Sequence, residues 1–198
     1  MRIITGKAKG FVLKAPKGFS TRPTSDRIKE SIFNILNGMI DFDGKVILDL
    51  FAGTGSLGLE SMSRGGAQAV FVDSETINII RDNVNRTHFD DKSEIIRGDV
   101  FKSIKKLANN HRQFDLIFCD PPYNKGLWQR ALIEIDNLNL LKSEGLLIVE
   151  HGAEESLEME KATLNSSNLP IILTNIENIR QIKYGHTTAV EIFKKKNI

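Results

Sequence analysis

The 198-residue sequence contains a single cysteine, Cys119, so no intramolecular disulfide forms and a cysteine-rich zinc site is excluded. Cys119 lies in an apolar stretch, where a core role is expected of it in a reducing cytoplasm. No apolar run reaches membrane-spanning length, and the opening Met1-Arg2-Ile3-Ile4-Thr5-Gly6-Lys7 is too short in its apolar part for a secretory signal. Internal repeats, low-complexity tracts and Pro/Gly-rich linkers are missing, and no grouping of ligand-type side chains suggests a metal site. What remains is a composition of 40% hydrophobic and 26% charged residues, that of a soluble globular protein built as one domain with at most a small appendage.

Net charge is also small, +2, but it hides an asymmetry. Residues 1–30 carry eight basic side chains (Arg2, Lys7, Lys9, Lys14, Lys17, Arg22, Arg27 and Lys29) against Asp26 and Glu30, so the body that follows is mildly acidic. A basic segment on an acidic body suits a phosphate-rich partner, whose counterions are released on binding, and it equally suits a solvated charged hairpin.

The pattern turns on Val46-Ile47-Leu48-Asp49-Leu50-Phe51-Ala52-Gly53-Thr54-Gly55-Ser56-Leu57-Gly58. A short apolar run, a carboxylate and three glycines before amphipathic residues resume predict strand, tight loop and helix. Glycines belong where the backbone takes positive φ or a ligand lies against it, and a helix start adds free N–H donors. Gly53 to Gly58 satisfies the dinucleotide fingerprint G-x-G-x-x-G, with Asp73 at the spacing of a ribose-binding acid. A carboxylate at Asp49, however, either caps the loop or helix or, facing a ligand, repels a pyrophosphate and attracts a cation. S-adenosylmethionine carries an ammonium and a sulfonium and no phosphate, and it fits better.

Strand and helix then alternate. A basic hairpin over residues 1–14 leads through an irregular stretch to a helix from Thr24 or Ser25, with Ile28, Ile32, Ile35, Leu36, Met39 and Ile40 on one face. The helix after the glycine loop ends at Arg64-Gly65-Gly66. Strands follow at Ala69–Asp73, Ser93–Arg97, Phe114–Cys119 and Leu146–Glu150, with helices over Glu75–Phe89, around Val100–Leu107 and over Leu127–Leu141. Such alternation predicts a parallel sheet with helices on both faces and ligands across the carboxyl ends of the strands. Asp49, Asp73, Asp99 and Asp120 all fall at those ends. Asn178–Tyr184 and Thr187–Lys194 flank Gly185-His186 and predict a closing hairpin, so the last strand runs antiparallel.

Asp120-Pro121-Pro122-Tyr123 directly follows the fourth strand. Pro121 holds Asp120 extended and fixes its own φ, and two prolines remove two N–H donors. A carboxylate, rigid carbonyls and an aromatic ring make a receptor for an amino group on a flat ring. Acceptors on both amine N–H groups draw the nitrogen lone pair out of ring conjugation, while Tyr123 stacks on the base and holds it in line.

Asp49–Gly58 together with Asp120–Tyr123 resembles S-adenosylmethionine-dependent methyltransferases acting on nucleobase amines. The stretch Arg22-Pro23-Thr24-Ser25-Asp26-Arg27-Ile28-Lys29-Glu30-Ser31-Ile32-Phe33-Asn34-Ile35-Leu36, the opening Arg2-Ile3-Ile4-Thr5-Gly6 and the closing Tyr184-Gly185-His186-Thr187 resemble the RsmD family of bacterial 16S rRNA guanine-N2 methyltransferases. The resemblance covers nearly the whole chain. It implies a Rossmann-like class I methyltransferase α/β fold over residues 23–198, with a mostly parallel sheet whose last strand is antiparallel, and a small basic β-hairpin extension over residues 1–22. By motif position, Asp49, Gly53 and Gly55, with Phe51 in the same loop, contact the methionine end of S-adenosylmethionine. Asp73, with Glu75 sharing or taking the contact, holds the ribose, and Asp99 lies on the adenine side. Asp120, Pro121, Pro122 and Tyr123 hold the target guanine, and S-adenosylhomocysteine is the product. Lys7, Lys9, Lys14, Arg22, Thr24 and Arg27 are the expected RNA contacts, on 16S rRNA within a small ribosomal subunit. A cytoplasmic monomer without metal is expected.

Three other classes fit parts of this pattern. A nicotinamide-dependent oxidoreductase shares the glycine loop but needs a proton donor, for which only His151 and His186 are available after Glu150. A non-catalytic RNA-binding module accounts for the basic segment and not for the strand-end acids. An N6-adenine methyltransferase on DNA or RNA shares the Asp-Pro-Pro-Tyr turn, and only the whole-chain resemblance favours guanine.

Overall fold

Strand and helix alternate along the chain as the apolar pattern predicts, in a computed structural model that describes residues 1–16, 26–123, 125–155 and 172–197. The chain divides into two units, Met1–Val100 and Phe101–Ile198. In the first, strands β1 (Val46–Leu50), β2 (Gln68–Asp73) and β3 (Ser93–Arg97) lie in the order β3-β2-β1. Their pairing is parallel, with Leu48 beside Val70 and Phe71 beside Ile95. Parallel neighbours need long crossovers, and helices α2 (Ser56–Ser63) and α3 (Ile77–Arg86) supply them. Ile47, Leu48, Leu50, Val70, Phe71 and Val72 are all buried, which is why β1 and β2 read as predominantly apolar runs, whereas β3 is only partly buried.

Helix α1 (Asp26–Leu36) buries Ile28, Ile32 and Leu36 as its spacing predicts, and also Phe33 and Lys29, which the spacing does not mark. It stops at Leu36, so Met39, expected on the same face, is exposed. The expected caps Thr24 and Ser25 lie outside the described residues. Helix α3 is shorter than the predicted 75–89, because the Asp73 carboxylate captures the Glu75 and Thr76 amides ahead of it and His88 adopts φ 58° behind it.

The first 13 residues double back, with Ile3 N–H donating to Phe11 O, Gly10 N–H to Ile3 O and Leu13 N–H to Met1 O around one antiparallel bridge, Arg2 to Val12. This arm is docked on α2. The Glu60 carboxylate accepts the Ile4 and Thr5 amides at 2.8 and 3.1 Å, and Lys7 N–H donates to Ser63 O at 2.8 Å. Gly6 sits at φ 85°, where a Cβ would lie 1.8 Å from the Ser63 carbonyl oxygen, so no other residue fits. Glu60 and Lys29 are fully buried 3.5 Å apart, and the Lys29 ammonium donates to Arg2 O at 2.6 Å. Burial pushes the Lys29 pKa down, and the Glu60 carboxylate opposes that shift. Arg64 completes the cluster, donating to Glu60 at 3.0 Å with its guanidinium 4.6 Å from the centre of the Phe33 ring.

The second unit carries α4 (Val100–Asn109, whose first residue closes the first unit), β4 (Phe114–Cys119), α5 (Leu127–Asn137), β5 (Leu141–Gly152), β6 (Ile176–Tyr184) and β7 (Thr188–Lys195). Its strands are ordered β4-β5-β7-β6, with β4 and β5 parallel and β7 antiparallel to both of its neighbours. The predicted closing hairpin is therefore present, with the last strand inserted beside β5 and β6 left at the edge. The helix expected to reach Leu141 ends at Asn137, because Asn139 turns left-handed at φ 52° and Leu141 already pairs with Phe114. Buried Asp136 accepts the Thr174, Asn175 and Ile176 amides at 2.7–3.0 Å and so aims the chain into β6.

Candidate active site

One cluster of predicted site residues grows from the end of β1, within the first unit. Parallel pairing sets Asp49 beside Phe71 and Leu50 beside Val72, which brings Asp73 to the same end of the strands, and Asp99 follows β3 two residues on. Between β1 and α2 the chain turns with Phe51, Gly53 and Gly55 at φ 55°, 57° and 76°. A phenylalanine in that region is strained, and surrounding bonds must hold it. They do. Ala52 N–H donates to Val72 O at 3.1 Å, Gly55 N–H to Ala52 O at 2.7 Å and Gly53 N–H to Asp73 Oδ2 at 2.9 Å.

The third glycine of the pattern has another reason. A Cβ on Gly58 would meet the Phe71 ring at 2.4 Å and Asp49 Oδ2 at 3.1 Å, so α2 can lie this close to β2 only with glycine there. The same approach lets Gly58 N–H donate to Asp49 Oδ2 at 2.9 Å. Asp49 is 2% exposed, and burial pushes its carboxyl up to about 8, against the Gly58 amide and with some help from the Asp73 charge. A cation placed beside such a buried carboxyl would return it to the charged form.

Asp73 is bound differently. It accepts three backbone amides, those of Gly53, Glu75 and Thr76, at 2.7–2.9 Å, and so ties the glycine loop to the start of α3. Glu75 is exposed, as is Asp99.

A second, separate cluster stands at the end of β4, within the second unit. Asp120 is half-buried, Pro121 buried and Pro122 exposed. The Tyr123 hydroxyl donates to Glu150 Oε1 at 2.8 Å and lies 3.3 Å from Thr188 Oγ1. Its pKa is pushed far up, by burial first and by the Glu150 charge next, so it stays protonated at any physiological pH. Sequence reasoning named Tyr123 but neither Glu150, near the end of β5, nor Thr188, at the start of β7. Glu150 is legible in the sequence as a fifth strand-end acid; Thr188 carries no local signal.

Of the expected RNA contacts, Lys7, Lys9 and Arg27 are exposed, and Lys14 forms a half-exposed ion pair with Asp82 at 2.7 Å. Arg22 and Thr24 lie outside the described residues. Of the two histidines considered as proton donors, His151 is buried and stacked on Trp128 with ring centres 4.3 Å apart, and its Nε2 lies 3.3 Å from Glu191. It is a core residue. Cys119 is buried, as expected. Among the described residues no group of acids, histidines and cysteine is arranged to hold a metal ion, and no helix is long and apolar enough to cross a membrane.

Seven strands, mostly parallel with the last antiparallel, and a glycine turn after the first strand define the α/β fold of class I methyltransferases. The chain belongs to the RsmD family, whose model, described as conserved hypothetical protein 95, matches residues 1–192. YlbH of Bacillus subtilis (strain 168), which carries the name of an rRNA methyltransferase, is 36% identical over 198 residues, covering 99% of this chain and 100% of its own. Ribosomal RNA small subunit methyltransferase D of Escherichia coli (strain K12) is 31% identical over 157 residues, or 79% of this chain and 77% of its own. Among solved structures, a hypothetical protein of Thermus thermophilus superposes with a TM-score of 0.78 at 25% identity, over 97% of this chain and 98% of that one. The Escherichia coli protein YhhF, described as a methyltransferase, gives 0.77 at 25% identity over 99% and 98%.

Proposed function

We propose that this protein methylates the exocyclic N2 of a guanine in 16S rRNA, using S-adenosylmethionine and releasing S-adenosylhomocysteine. Several of its relatives are named for methylation of ribosomal RNA, and some of these for small-subunit RNA. The observation that carries the reading is the Tyr123 hydroxyl on Glu150: with the hydroxyl engaged, the ring has only its face to offer, and Asp120 is the carboxylate of the turn. A ring face in the same turn as a carboxylate and a proline carbonyl suits an amine on a base.

S-adenosylmethionine supplies an electrophilic methyl carbon on a sulfonium. Asp49 is the residue suited to the cationic methionine end, with the Phe51–Gly55 turn beneath it. Asp73 orders that turn and Glu75 offers an exposed carboxylate to the ribose, with Asp99 beyond β3 for the adenine. Asp120 and the Pro121 carbonyl accept the two N–H groups of the target amine, which localises its lone pair. Tyr123 holds the base by stacking, worth about 1–3 kcal/mol per base. The exposed Lys7, Lys9 and Arg27 serve the RNA backbone, and an unstacked loop of 16S rRNA in the small subunit is the substrate.

The test is methyl transfer from labelled S-adenosylmethionine to small ribosomal subunits from a strain lacking the activity, beside naked 16S rRNA, DNA and an Asp120→Ala control. N2-methylguanine in the subunit, lost with Asp120→Ala, is the expected result. Label in DNA or as N6-methyladenine moves the target to the other amine, and a protein that binds RNA but neither cofactor nor label is a binding module.

A further inference from the structure

Asn83 is fully buried on α3, and its side-chain amide is shared between two distant segments. Oδ1 accepts the Lys14 amide at 2.7 Å, while Nδ2 donates to Lys14 O at 3.0 Å and to Thr54 O at 2.9 Å. Both donors and the acceptor are therefore engaged, two by the N-terminal arm and one by the glycine loop. Thr54 lies between the left-handed Gly53 and Gly55, so the direction of its carbonyl sets the peptide plane that delivers Gly55 N–H to Ala52 O. Its hydroxyl makes a second link to the arm, at 3.6 Å from Met1 Sδ. A turn built from three left-handed residues needs such outside bonds to persist. An aspartate here has no N–H for either carbonyl, and an aliphatic residue leaves three part-buried backbone groups without this partner.

We infer that Asn83 is a positioning residue that couples the arm to the loop, so that seating of the arm and ordering of the glycine turn are one equilibrium. When the arm leaves, the Asn83 amide loses two of its three partners and is released from Thr54. Coupling of this kind is reciprocal: a ligand on the loop steadies the arm, and a partner that holds the arm raises affinity at the loop. With the loop read as the S-adenosylmethionine site and the arm as an RNA contact, on which this consequence rests, RNA engagement tightens cofactor binding.

Gly6 offers a probe remote from Asn83. A Cβ there collides with Ser63 O, so Gly6→Ala unseats the arm while leaving the loop sequence and Asn83 intact. Amide hydrogen exchange at Gly53, Thr54 and Gly55 is measured in the wild type, Gly6→Ala and Asn83→Ala, together with affinity for S-adenosylhomocysteine. In both variants loop exchange is expected to accelerate about tenfold and affinity to fall by a similar factor, within the usual range of coupling. In the wild type, which needs no variant to fold, saturating S-adenosylhomocysteine is expected to slow exchange at Ile3, Lys7 and Lys14. Faster exchange in the arm of Gly6→Ala with an unchanged loop overturns the coupling, as does a wild-type arm indifferent to bound ligand. If the wild type binds no S-adenosylhomocysteine while loop exchange still follows the arm, the coupling stands and the cofactor reading fails.

Discussion

The Tyr123 hydroxyl donates to the Glu150 carboxylate at 2.8 Å, joining the Asp-Pro-Pro-Tyr turn to the neighbouring strand β5. The bond fixes the ring plane and makes the hydroxyl a tether in place of an acid. Tyr123→Phe keeps the ring and removes the tether, at a cost of about 1.5–3 kcal/mol for a hydrogen bond to a charged group. Methyl transfer by Tyr123→Phe is expected to fall about tenfold, and by Tyr123→Ala more than about a hundredfold, because the stacking face is lost as well. Single-turnover rates with a saturating ribosomal substrate check both. Equal rates for Phe and Ala would remove the ring from the site.

Asp49 makes stability and ligand affinity respond to pH in opposite directions. Its pKa in the folded protein, about 8, lies above the ordinary carboxyl value of 3.8. Its contribution is thus fully present below about pH 4 and is lost as pH rises through 8, a slope of at most about 1.4 kcal/mol per pH unit. Asp49→Asn is expected to flatten that slope in urea unfolding between pH 5 and 8. A cationic ligand needs the ionised form, so affinity for S-adenosylhomocysteine rises with pH toward 8 in the wild type and is weaker and pH-independent in Asp49→Asn. Calorimetry in buffers of differing ionisation enthalpy should show a proton released on binding at pH 7.

Gly58→Ala replaces a poor helix former with a good one, a local gain of about 1 kcal/mol. The added methyl would lie 2.4 Å from the Phe71 ring, and overpacking of this kind costs about 1–3 kcal/mol. Packing wins over propensity: urea melts should show net destabilisation, and cofactor affinity should drop because the displaced α2 carries the amide that holds Asp49.

Glu60 holds two arm amides, the Lys29 ammonium and the Arg64 guanidinium in a buried cluster. Glu60→Gln removes the ion-pair partner of the buried Lys29 ammonium, and breaking a buried pair from one side costs about 3–5 kcal/mol. Denaturant unfolding of Glu60→Gln should show a loss of this size, and the double variant Lys29→Met with Glu60→Gln should recover part of it.

Charge reversal at the exposed Lys7 and Lys9 tests the arm as an RNA contact. Binding to ribosomal RNA should weaken, and the slope of log affinity against log salt should become shallower by about 0.7–0.9 per phosphate contact removed. Affinity for S-adenosylhomocysteine should not change, since neither side chain lies in the cluster that seats the arm. Lys14 responds differently, because its ammonium is already shared with Asp82.

The sequence by itself determined what depends on near neighbours. Apolar runs and helical spacing placed β1 to β4 within a residue or so, and proline and glycine chemistry marked both the Phe51–Gly55 turn and the Asp120–Tyr123 turn. Helix ends were misplaced where a left-handed asparagine or histidine, Asn139 or His88, terminates a periodic pattern. The tertiary structure alone decided the partners of those motifs. Tyr123 meets Glu150 and Thr188 across 27 and 65 residues of sequence, and Asn83 meets Lys14 across 69. Likewise, nothing local in Glu60 or Lys29 foretells burial, and nothing in β7 says that it enters the sheet between β5 and β6. Periodicity and turn chemistry are properties of a few adjacent residues, whereas a buried polar side chain takes its partner from whichever segment packing brings to it.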